Sequence, residues 1–141
     1  MSHAGPSGIR VGATVCLVLW AASLLLPAVH VSGGPTLTGA GMLEQGWQAL
    51  DSGVPSWYAN PVFLLACVAA LLGRPRIAGV LTGVALTLAL TSFAAGEIAR
   101  SNGTNVPTLI WQAGFYCWLA AQIGLFVWCW WAVFARFRAA T

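Results

Sequence analysis

Few residues in this chain could do chemistry, and they fall into three groups. Beyond the N-terminal tail, His30, Glu44, Asp51 and Glu97 are the only titratable imidazole and carboxylate groups. Imidazole and carboxylate oxygen are ligands for zinc and other cations, but no pair among these four has a metal-binding spacing. The second group is Cys16, Cys67, Cys117 and Cys129, each inside an apolar run. A secreted disulfide framework places its cysteines in polar loops, so these read as small buried hydrophobes. Cys16 and Cys129 fall at similar depth on what should be the reducing side, which argues against a bond between them. The third group is Gln112 and Gln122, near the outer end and the middle of the last apolar run. A mid-membrane glutamine hydrogen-bonds a neighbouring helix, at about 0.5–2 kcal/mol, or lines a pore.

These absences exclude several chemistries. No Asp or Glu lies deep in an apolar run, as a proton-coupled cation exporter requires. No Cys-x-x-Cys pair is present for quinone-linked disulfide formation. Facing histidines for haem are lacking, since His30 alone lies near an apolar run. The first outer loop holds Trp47 but lacks the cysteine pair of claudin-like tetraspans. There is no nucleophile–base pair and no glycine-rich phosphate loop after a strand. The expectation is therefore no catalytic residue, no cofactor and no metal.

The elements that must position these residues follow from composition. The chain is 59% hydrophobic and 6% charged. A soluble domain carries about 25% charged residues. Six arginines and three acids cannot cover the surface of a soluble fold of 141 residues, so an integral membrane protein is expected. The arginines are dispersed at segment ends, which offers nothing to nucleic acid.

The expected fold is all-α: a single membrane domain, 1–141, with four transmembrane helices over about 11–31, 57–73, 77–95 and 108–134, plus a short outer amphipathic helix over 39–51. Residues 1–10 read as a tail, and Ser32 to Thr38 as a turn. The first run is too long for a signal h-region, and Val29-His30-Val31 lacks the small-x-small cleavage pattern, so it reads as a span. Within 39–51, Leu43, Trp47 and Leu50 share one face and Glu44, Gln48 and Asp51 another. Such a helix lies flat on a membrane or packs as a cap over the spans. The second run is short for the ~30 Å hydrocarbon core, with Trp57 and Tyr58 as boundary residues and Arg74 snorkelling at the far end. Asn60-Pro61 reads as a helix start, with Asn capping a backbone N–H. In the third run Gly79, Gly83, Thr87 and Thr91 form a small-residue packing stripe, widened by Ala78, Thr82, Ala85, Ala89 and Ser92. Gly96 to Pro107 reads as a polar loop, and the fourth run ends in an aromatic belt with Arg136 and Arg138.

With four spans, Arg10, Arg74, Arg76, Arg136 and Arg138 share one side, and the positive-inside rule makes both termini cytoplasmic. The motif Trp57-Tyr58-Ala59-Asn60-Pro61, following an outer amphipathic segment, is similar to small, uncharacterised bacterial four-span inner-membrane proteins. The resemblance implies that location and fold, and no activity.

The late start of the second span leaves room for a shallow outer recess beneath the cap, near His30, Asn60 and Glu97. The expected function is non-enzymatic: a structural, accessory or partner-binding subunit in the bilayer, contacting a second copy or another membrane protein. The alternative is an oligomeric channel or small transporter, with Gln122 and the threonines of the third span along the pathway.

Overall fold

The computed structural model describes residues 6–50, 55–101 and 108–138. Helix α1 covers Pro6–Leu25, α2 Gly39–Gln45, α3 Ala59–Leu71, α4 Pro75–Ser101 and α5 Ala113–Arg138. Three helices are long and apolar enough to cross a membrane: α1, α4 over its first 20 residues, and α5. This marks the chain as an integral membrane protein.

The four long elements form a closed square. α1 packs on α5 and α3, and α4 packs on α3 and α5. The shared core is dense in alanine: Ala13, Ala66, Ala70, Ala78, Ala85 and Ala121 interleave with Phe63, Leu125 and three cysteines. Small side chains let backbones approach, which in lipid is a main source of helix association.

The expected all-α fold is corrected by a three-stranded antiparallel sheet at one end of the bundle. Strand β1, Pro27–Val31, lies between β2, Thr36–Thr38, and β3, Leu109–Trp111. Val29 pairs with Leu37 on one side and Trp111 on the other. The physical cause is Pro27, which cannot donate to a helix and disfavours helical geometry in the residue before it. The β-branched Val29 and Val31 then suit a strand. Residues 27–31 and 109–111, expected in the first and fourth spans, are thus paired backbone above the bundle.

Element ends differ from expectation in other places. α1 starts at Pro6, inside the expected tail, and places Arg10 on a helix, where its Nε donates to Leu71 O at 3.1 Å. A cation on a final carbonyl is favourable at the end of α3. α3 stops in a left-handed Gly73 (φ +73°), with Arg74 N donating to Ala69 O and Gly73 N to Ala70 O. A side chain would be strained there, and glycine is not. Pro75 then opens α4, where its missing N–H has no intrahelical partner to lose. α4 runs on to Ser101, through half of the expected polar loop.

α3 itself has 13 residues. At 1.5 Å each it is about 20 Å long, against ~30 Å of hydrocarbon. A 3-10 turn, Pro55–Tyr58, leads into it. The outer amphipathic segment is α2 followed by a second 3-10 turn, Gly46–Leu50. The change of period rotates Trp47 off the Leu43 face, and Trp47 is exposed.

A candidate recess beneath the outer cap

The end of the bundle that carries the sheet holds a cavity of about 100 Å³. Its floor is Ser23 of α1, Asn60 of α3, Ser92 of α4 and Trp118 of α5. Trp111 and Phe115 form one wall, and Trp57 and Ser56 another. Met42, Leu43 and Gly46 of the cap roof it.

Each wall is fixed by a bond that its sequence position does not advertise. Asn60 was expected to cap α3. The helix instead begins at Ala59, Tyr58 holds the cap position, and no side-chain cap bond forms. At the second position of α3, Asn60 Oδ1 accepts two indole N–H groups, from Trp20 of α1 at 3.1 Å and Trp118 of α5 at 2.8 Å. Its Nδ2 donates to Trp57 O at 3.2 Å. One amide therefore joins three helices and the 3-10 lead of its own. Trp57 Nε1 donates to Leu43 O at 2.7 Å, which ties the cap down.

The aromatic wall is continuous. Trp111 stacks on Phe115 with centroids 4.1 Å apart, and Phe115 meets Phe93 edge-on at 5.3 Å and lies tilted against Trp118 at 5.6 Å. Pairs of this geometry add about 0.5–1.5 kcal/mol beyond burial. Two glycines allow the cap and α5 to close on the end of α1. A Cβ on Gly39 would lie 2.3 Å from Ser23 O, and one on Gly114 2.8 Å from Leu26 O.

The three recess residues expected from sequence are not brought together. Asn60 lines the cavity. His30 does not: it sits on β1, with Nδ1 hydrogen-bonded to Thr36 Oγ1 at 2.9 Å, on the solvent side of the sheet end. The strand that carries it is unforeseen in the sequence. The side chain of Glu97, like the whole of Asp51, lies outside the described residues. Glu44 is exposed on the cap. No group of three metal-ligating side chains occurs among the described residues.

In the packing stripe, Gly79 faces Trp130 and Gly83 faces Phe126, both on α5. Thr87 is exposed and Thr91 half-buried, each bonded back to its own helix. The fully buried line is the neighbouring one, Ala78, Thr82, Ala85 and Ala89. Gln122 departs from the expected interhelical bond: it is fully buried, and neither amide atom has a partner.

The recess residues that sequence reasoning missed are Trp20, Trp118, Trp111 and Phe115, and Ser92 is expected only in the packing stripe. Trp20 and Trp118 fall near the middles of the expected first and fourth runs and Asn60 near the start of the second, so position along the runs gives no signal that they meet. No protein-family model, curated protein or solved structure matches this chain.

Proposed function

We propose that the chain is a non-enzymatic accessory subunit of a membrane assembly, and that the recess beneath its cap receives an apolar side chain of a partner membrane protein. In this reading α3 with its 3-10 lead is a fourth span, the membrane is a bacterial inner membrane, and both termini are cytoplasmic. The observation that carries it is the recess: aromatic walls, a roof held by a single indole bond, and a floor whose amide oxygen is already occupied twice. Such a floor leaves apolar contact as the means of recognition. The volume, about 100 Å³, suits one side chain and is smaller than a 150 Å³ cavity that binds benzene. The channel alternative is weakened by Gln122, which is enclosed within one copy and so cannot line a pathway between copies.

The test is a photo-crosslinking amino acid placed at Ser56, in the recess, and at Gln48, on the exposed cap, in native membranes. A discrete adduct from Ser56 alone is expected. It should vanish when Met42→Trp fills the recess and survive Met42→Leu. Equal adducts from both positions, or an adduct indifferent to Met42→Trp, would sink the reading.

A further inference from the structure

The opposite end of the bundle has a groove of about 510 Å³ that the partner reading does not use. Arg74 lines it from the α3–α4 turn, Arg76 from the first turn of α4, and Arg136 from the last turns of α5. We infer that this groove binds the phosphate of an anionic phospholipid. The inference rests on the membrane placement and is independent of the recess.

Three arginines, from the α3–α4 turn, α4 and α5, line one concavity. None of them meets a carboxylate among the described residues, where Glu44, on the cap at the other end, is the one acid with a described side chain. Like charges held together call for an anion. Guanidinium matches phosphate geometry through paired N–H donors. The Arg76 guanidinium is held 5.2 Å over the Phe137 ring, which limits the freedom it would lose on binding. The first turn of α4 opens into the same groove and adds the positive end of a long helix.

The apolar rim selects a lipid over free phosphate. Ile77 and Phe137 line the groove and are about half exposed, and Leu72 and Phe134 continue an exposed apolar surface beside it. A phosphodiester bearing acyl chains satisfies both the charge and that surface. The size falls within the 300–1,000 Å³ range of small-molecule sites.

The experiment is native mass spectrometry of the full chain in zwitterionic detergent, titrated with phosphatidylglycerol, phosphatidylcholine of the same chains, or inorganic phosphate. Phosphatidylglycerol should bind in preference to phosphatidylcholine. Each of Arg74→Gln, Arg76→Gln and Arg136→Gln should weaken it by about fivefold, and the triple variant by about a hundredfold. Arg10→Gln changes the net charge equally but lies outside the groove, and should leave binding within about twofold. Equal binding of the two lipids, or unchanged binding in the single variants, overturns the inference. Displacement of the lipid by equimolar inorganic phosphate overturns the lipid assignment. If the triple variant does not fold, the three single variants decide the matter.

Discussion

Replacing Asn60 by Leu keeps the size of the side chain and removes the one acceptor shared by two indoles. Both N–H groups, from Trp20 and Trp118, then face an apolar recess. A stranded buried donor costs about 1–3 kcal/mol. Both indoles are only partly buried, and interhelical bonds in membranes average about 0.6 kcal/mol with a maximum near 1.7. Adding the lost bond to Trp57 O, the expected destabilisation is about 2–3 kcal/mol. Unfolding in mixed micelles, followed by helical circular dichroism, measures it. The sharper reading is a double-mutant cycle with Trp118→Phe, where the pair should show a coupling of about 0.6–1.7 kcal/mol. If the two losses add to within about 0.3 kcal/mol, the shared-acceptor argument is wrong. A neutral or stabilising Asn60→Leu would refute it outright.

Three further outcomes are expected. Gln122→Met removes two buried amide atoms without partners and keeps the volume, so it should stabilise by about 1–2 kcal/mol in the same assay; a loss of stability would mean that the amide is bonded in solution. Gly39→Ala drives a Cβ into the Ser23 carbonyl and should destabilise by about 1–3 kcal/mol, against about zero for Ala40→Ser on the exposed face next to it. All four cysteines are free, and Cys16, Cys67 and Cys129 are buried, so maleimide should modify at most Cys117 in folded micelles and all four after denaturation. Rapid native labelling of two or more would contradict the packing.

The helices are legible in the sequence because long apolar runs leave a bilayer-soluble chain few options. The sheet is not. β2 and β3 have three residues each and β1 five, too few for alternation to stand out beside adjoining apolar helices. β1 also finds β3 across some 80 positions, a pairing that local pattern cannot report. The same limit applies to Asn60. Asn-Pro before an apolar run satisfies the local rule for a cap, yet two indoles from distant helices outbid it. Position along the chain puts His30 near the recess, whereas in the fold it pairs with Thr36 across the strands and does not line the cavity. In the small-residue stripe the residues of one helical row do not share one environment. Its glycines face α5, and the adjoining alanine line carries the burial.

The pairing of β1 with β3 also has a consequence in time. β1 follows α1 directly, and β3 directly precedes α5. The first helix is synthesised and inserted early, yet the strand that closes its outer end waits for residue 109 and the helix behind it. Asn60 likewise holds one donor from α1 and none from α5 until Trp118 arrives. Contacts of such long sequence separation form slowly, because loop closure precedes any reward. The recess therefore cannot close until β3 and the first turns of α5 have been made. A partner that recognises it would bind only finished copies, which makes the cavity a signal of completed assembly as much as a place to dock.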